Sequence, residues 1–204
     1  MPQAKTLTPV EIEKVLLYIA SKPNAQRNRL MFLLTVWAGF RVSEVAGLRI
    51  SDVRNVDGSV RAEVYLSAER VKHGHEGVVY LNERLQAELV KFIESRNWHA
   101  ADQALFCTQA NPRKGFSANT MTQHFHYLYK RTGIAGGSSH SGRRTFITTL
   151  ANKGVSVRLL ASLVRHANIA TTQRYIDVND DMKGGFKYEL QHGLTRRETP
   201  RGVS

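Results

Sequence analysis

The 204-residue chain holds one cysteine, Cys107, so no internal disulfide can brace the fold. Its apolar setting (LFCT) predicts a buried thiol rather than a nucleophile. No apolar run approaches the roughly eighteen residues of a membrane span, and the N-terminus lacks the hydrophobic core of a signal peptide. These two absences predict a cytoplasmic protein with no membrane partner. Acidic residues are scarce, 17 Asp and Glu against 29 Lys and Arg. Asp177, Asp180 and Asp181 lie together without a matching acidic group elsewhere, so the paired carboxylates of a metal-dependent nuclease are missing. His73 and His75 lack a second ligand pair and Cys107 is alone, which argues against zinc. No metal or other cofactor is expected, and there is no internal repeat.

What is present is positive charge. A formal net charge of +12 favours a polyanion, nucleic acid above an acidic membrane surface. Apolar residues make up 42% of the chain, enough for the core of one sizeable domain.

Thr8-Pro9-Val10-Glu11 has the form of a capping box with proline at the first helical position. Ile12, Val15, Leu16 and Ile19 follow on one helical face, and Lys22-Pro23-Asn24 ends the segment. A strongly apolar helix through Arg29 to Trp37 stops at Gly39, and Val42 to Leu48 is again helical. The period then changes to two. Val60, Ala62, Val64 and Leu66 alternate, and Gly77 to Leu81 is extended, which predicts two strands joined by a mobile basic hairpin turning at Gly74. Asn82 caps a helix to about Asn97, residues 104–108 are briefly extended, and Ser117 opens a helix ending near Gly133. Gly136 to Ser139 form a flexible approach to His140, whose helix ends at Gly154. Ser156 caps another helix, and Asn168 a short one carrying Tyr175. The expected fold is α+β, mainly α-helical, with one small antiparallel sheet.

Five side chains stand out: Arg41, Lys72, His140, Arg143 and His166, followed by Tyr175. Taken singly, each has an ordinary reading: a solvated arginine, an edge-strand lysine, a core or capping imidazole, a packing tyrosine. Together they match a chemical need. Attack of a tyrosine oxygen on a phosphodiester builds charge on the non-bridging oxygens, which two arginines can clamp. A hairpin lysine can protonate the departing 5′-oxygen, and histidines can move protons near neutral pH. The resulting 3′-phosphotyrosyl bond keeps the energy of the phosphodiester, so rejoining needs neither ATP nor metal.

On these residues the chain resembles the tyrosine recombinases, the phage-integrase family. AGFRVSEVAGL is similar to the family's box around its first catalytic arginine, here Arg41, with Glu44 as the supporting acid. Lys72 matches the hairpin lysine. His140-Ser141-Gly142-Arg143 matches the H-x-x-R element. HANIATTQRY matches the closing element, with His166, the pair Thr171-Thr172 and the nucleophile Tyr175. The resemblance runs from about Thr8 to Asp180. It implies the family's catalytic-domain fold over residues 1–183 and a tail, 184–204, exchanged between protomers; the polar composition of that tail (RRETPRG) predicts disorder at its end. It also implies double-stranded DNA as partner, a homotetramer on two DNA sites, and a place at the nucleoid. Arg70, His73, Arg144, Arg165, Thr171 and Thr172 are the expected DNA contacts.

Two departures stand out. Arg165 replaces the glycine usual before the second histidine, and Gly142-Arg143-Arg144 replaces Leu-Arg-His. Most members also carry an N-terminal helical domain, whereas here the resemblance begins almost at Met1. The expectation is a single-domain enzyme like the small fimbrial-switch invertases, or an excised catalytic domain. A type IB topoisomerase and a non-catalytic DNA-binding protein on the same fold are the alternatives. Integration, excision, inversion and resolution are not distinguished.

Overall fold

A computed structural model of the chain describes residues 4–67, 76–96, 100–107, 114–165, 169–170 and 172–173. Within these stand eight helices and two strands. In order they are α1 (Pro9–Ala20), α2 (Ala25–Trp37), α3 (Val42–Ala46), α4 (Ile50–Val53), β1 (Glu63–Leu66), β2 (Gly77–Tyr80), α5 (Glu83–Glu94), α6 (Ala118–Arg131), α7 (Ser141–Asn152) and α8 (Val157–Leu163). The mainly helical α+β expectation is met.

The hub is α2. From Leu30 to Val36 every residue is buried, which is the signature of a helix enclosed by others rather than laid on a surface. It contacts α1, α3, α5 and α7. Each large apolar side chain enclosed this way, such as Phe32 or Leu34, contributes about 1.5–3 kcal/mol of burial free energy. Arg29 adds a forked ion pair to Glu88 of α5, with N···O distances of 2.8–3.0 Å. Cys107 is a buried free thiol, as its neighbours predict.

Local signals placed most helix starts. Thr8 Oγ1 accepts the Glu11 N–H and the Glu11 carboxylate accepts the Thr8 N–H, closing the expected capping box. Asn82, Ser117 and Ser156 each accept an N–H of their helix's first turn. Gly133 is left-handed, at φ +64°, just past α6.

The sheet is smaller than the alternation suggests. β1 and β2 pair antiparallel in the register Glu63↔Tyr80, Val64↔Val79, Tyr65↔Val78 and Leu66↔Gly77. Val64, Leu66 and Val79 face the core, while Tyr65 and Tyr80 are exposed. Val60 lies outside the sheet because it bridges back to Arg54 instead. Between these residues and α3 lies the unexpected α4, whose Asp52 accepts the Arg49 N–H at 2.7 Å. The approach to His140, expected to be flexible, is packed. A Cβ at Gly137 would stand 2.7 Å from Tyr129 Cγ, and Gly136 O accepts the Lys5 N–H.

Candidate active site

Two helix starts meet at the far end of α2. Gly39 takes φ +68° to turn the chain out of α2, and a Cβ there would lie 2.5 Å from Phe146 Cδ1 on α7. Only glycine allows that approach. Two residues on, Arg41 is the N-cap of α3, and Glu44 at N3 accepts the Arg41 N–H at 2.7 Å. The same carboxylate takes Arg41 Nη1 at 2.6 Å through its other oxygen. A short helix is thus capped and its arginine aimed by one acid.

α7 brings the second arginine. It lies against α2 so closely that a Cβ at Gly142 would fall 2.1 Å from Thr35 Oγ1. The glycine that departs from the family's usual leucine therefore fits the hydroxyl of a buried threonine. Arg143, 6% exposed, donates from Nη1 to the Gly39 carbonyl at 2.6 Å and from Nη2 to the Val164 carbonyl. It thereby ties the turn before Arg41 to the end of α8. His140 precedes α7 in a turn where Ser138 N–H donates to Ser141 Oγ at 3.0 Å and Ser141 N–H to Ser138 O at 2.9 Å.

The electrostatics are those of cations gathered around one acid. Burial by itself pushes the Glu44 carboxyl up. Arg165, the Arg41 N–H and the Arg41 and Arg143 guanidiniums outweigh it and hold the group below its ordinary value. His140 is exposed by surface area, but part of its ring is withdrawn from water. That desolvation, with Arg143 and Arg41 nearby, moves its pKa down, so the neutral imidazole is favoured.

Of the expected site residues, Arg41, Glu44, His140 and Arg143 are described and converge here. Lys72, His166 and Tyr175 lie outside the described residues, as do Arg70, His73, Thr171, the Asn168 cap and the tail 184–204. The three described candidates for DNA contact are all buried. Arg144 donates Nε to Thr6 Oγ1 at 3.0 Å, Thr172 is enclosed, and Arg165 donates Nη2 to Glu44 Oε2 at 2.7 Å. The Gly39 and Val164 carbonyls and Thr35 escaped sequence reasoning, because backbone acceptors and packing partners carry no residue-type signal.

The model of the phage integrase family matches residues 5–182. The chain belongs to that family. It is 31% identical over 175 residues to the tyrosine recombinase XerA of Pyrococcus horikoshii, covering 85% of this chain and 57% of that protein. It is 29% identical over 176 residues to the tyrosine recombinase XerC of Pelobacter propionicus, covering 85% and 55%. The chain thus spans a little over half the length of these relatives. Among solved structures, a XerA recombinase superposes with a TM-score of 0.70 at 24% identity, covering 99% of this chain and 68% of that one. XerH bound to a palindromic difH substrate, in a post-cleavage complex, gives 0.65 at 22% identity, covering 83% and 48%. These likenesses establish the catalytic-domain fold of the phage integrase family for this chain. No helix among the described residues is long and apolar enough to cross a membrane.

Proposed function

We propose that this phage integrase family member is the catalytic part of a site-specific recombinase that cleaves and rejoins double-stranded DNA through a 3′-phosphotyrosyl intermediate. The observation that carries the reading is the meeting of Arg41 and Arg143 around Glu44, two guanidiniums from distant parts of the chain, each held by partners within the protein. In this reading Tyr175 attacks the scissile phosphorus in line. Its O–P bond forms as the bond to the 5′-oxygen breaks. The phenol proton passes to His140 or His166, and Lys72 protonates the departing 5′-oxygen. Arg41 and Arg143 neutralise the charge that builds on the non-bridging oxygens. One phosphoester replaces another, so rejoining is the same step reversed with a new 5′-hydroxyl. The partner is double-stranded DNA, four protomers act on two sites, residues 1–183 form the catalytic domain, and 184–204 couple neighbouring protomers. The net charge of +12 and the recombinase names of the relatives support DNA as the substrate, and a cytoplasmic, nucleoid-bound location follows from that substrate.

The experiment is a DNA duplex nicked beside the scissile phosphate, from which the released strand diffuses away and leaves the adduct trapped. The unmodified protein accumulates a covalent adduct on a denaturing gel. Tyr175→Phe binds the duplex in a gel shift with unchanged affinity and forms none. An adduct in that variant would move the nucleophile to another tyrosine, with Tyr188 the next to test. No adduct in the unmodified protein would favour a DNA-binding protein on a recombinase fold.

A further inference from the structure

Arg165 violates three ordinary preferences at once. Its backbone is left-handed, at φ +54°, where a side-chain-bearing residue is strained and glycine is at ease. Its side chain is only 3% exposed, although a guanidinium is rarely enclosed. Its Nε and Nη1 find no hydrogen-bond partner among the described residues. Strain of this kind persists when the surrounding structure imposes it, and it gathers at functional sites.

The compensation is specific. Arg165 Nη2 donates to Glu44 Oε2 at 2.7 Å, Glu44 Oε1 accepts Arg41 Nη1 at 2.6 Å, and Arg41 Nη2 donates to the Arg165 carbonyl at 3.3 Å. These contacts close a ring: Arg41, Glu44, Arg165 side chain, Arg165 backbone, Arg41. The stem of Arg165 also lies on the first residue of β2, since a Cβ at Gly77 would stand 2.8 Å from its Cδ and 3.0 Å from its Cγ. The residue before Arg165, Val164, gives its carbonyl to Arg143. One side chain and its peptide neighbours thus touch the settings of both arginines and the start of β2.

We propose that Arg165 is a positioning residue: it fixes the Arg41 guanidinium through a closed hydrogen-bonded ring with Glu44 and seats that ring against β2 at Gly77. The inference rests on Arg41 acting on the scissile phosphate. A glycine at 165 keeps the Arg41–Glu44 pair and the backbone contact but opens the ring, leaving Glu44 Oε2 with only the Arg41 N–H. Arg41 keeps its charge and its pairing with Glu44, but in this chain that carboxylate is then no longer braced from its far side, and misplacement of a stabilising group by about an ångström is enough to cost on the order of 100-fold in rate.

The test compares Arg165→Met, Arg165→Lys and Gly77→Ala in the full chain. Adduct formation on the nicked duplex is followed in single turnover, DNA affinity at two salt concentrations, and Arg41 side-chain N–H exchange by NMR in the free protein. Arg165→Met cleaves roughly 10–100-fold more slowly, with DNA affinity and its salt slope unchanged, and Arg41 N–H exchange accelerates. Arg165→Lys recovers part of the rate, because charge returns without the planar fork. Gly77→Ala, which pushes on the stem and alters no charge, reproduces the slowing. If Arg165→Met fails to fold, Arg165→Lys and Gly77→Ala carry the same comparison. Weaker binding with a shallower salt slope would overturn the proposal in favour of a direct phosphate contact. Unchanged Arg41 exchange would also overturn it, and would do so even if the unmodified protein formed no adduct. That last result alone would instead count against the proposed cleavage reaction.

Discussion

The pocket between α3 and α7 and the outer face of the β1–β2 sheet invert the usual distribution of side chains in opposite ways. In the pocket, charge is enclosed: Glu44 is 4% exposed, Arg143 6% and Arg165 7%. On the sheet, aromatic surface is left in water: Tyr65 is 56% exposed and Tyr80 55%. Enclosed charges are stable only when each is answered by a partner at short range, so the pocket's geometry is fixed in the act of folding. Exposed tyrosines place no such demand on their neighbours. The difference teaches where this fold is rigid by necessity, which is at the guanidiniums that would meet developing charge.

Arg143→Ala is the severest way to test that contrast. It removes two charge-assisted bonds to the Gly39 and Val164 carbonyls, each worth about 1.5–3 kcal/mol, together with the cation proposed to meet the transition state. Cleavage should fall by ~10²–10³, and urea unfolding should show a clear loss of stability. Arg41→Ala, whose side chain is 26% exposed, should lose a similar factor in rate with a smaller loss of stability. An Arg143→Ala protein that unfolds at the wild-type midpoint would break the contrast.

The next effect is a pH dependence at the pocket's wet edge. The pKa of His140 is lowered in the folded state, by partial burial and then by Arg143 and Arg41. The unfolded chain therefore takes up this proton first. The stability contributed by neutral His140 is complete above the unfolded value of about 6.5 and is lost as pH falls towards the folded value. Because the residue is exposed, that change should be small and best seen as a shift in urea midpoint between neutral and mildly acidic buffer. Adduct formation should keep its rate to a lower pH than an ordinary imidazole allows, then fall. His140→Gln should lack this acid limb, and an unchanged acid limb would remove His140 from proton transfer.

Tyr65→Ser sharpens the other side of the comparison. The ring is exposed and its hydroxyl donates to Glu76 at 2.7 Å in full contact with water. The change in stability should stay within about 0.5 kcal/mol. A loss several times larger in chemical denaturation would mean that the sheet's outer face is a packed surface after all.

The helix starts were legible because their causes are local. Thr8, Asn82, Ser117 and Ser156 each cap a helix within three residues of themselves, so spacing along the chain is spacing in space. α4 was not legible: four residues from Ile50 to Val53 are too few for a helical period to register. β1 begins at Glu63 because Val60 pairs with Arg54, a choice that alternation cannot reveal. At the site, the motifs around Arg41 and Arg143 were readable as types and intervals, whereas their acceptors were not. Arg165 is the instructive case. Its departure from glycine was visible, but its direction was set by Glu44, 121 residues earlier in the chain. The burial of Arg144 and Thr172 was hidden for the same reason.

The residues just ahead of α1 are moored to the helix of Arg143 and the loop before it, besides one ion pair from Lys5 Nζ to Glu11 of α1 at 2.5 Å. Lys5 donates its N–H to Gly136 O at 3.4 Å, Thr6 accepts from Arg144, and the Leu7 N–H donates to Thr145 Oγ1 at 2.8 Å. Leu7 is 3% exposed. A protein trimmed back to the tidy cap at Thr8 would strip Arg144 and Thr145 of these partners and uncover the apolar seat of Leu7. Conversely, a tag or domain joined directly ahead of Lys5 would pull on the approach to α7 as well as on α1, so a short flexible spacer there should preserve the setting of Arg143.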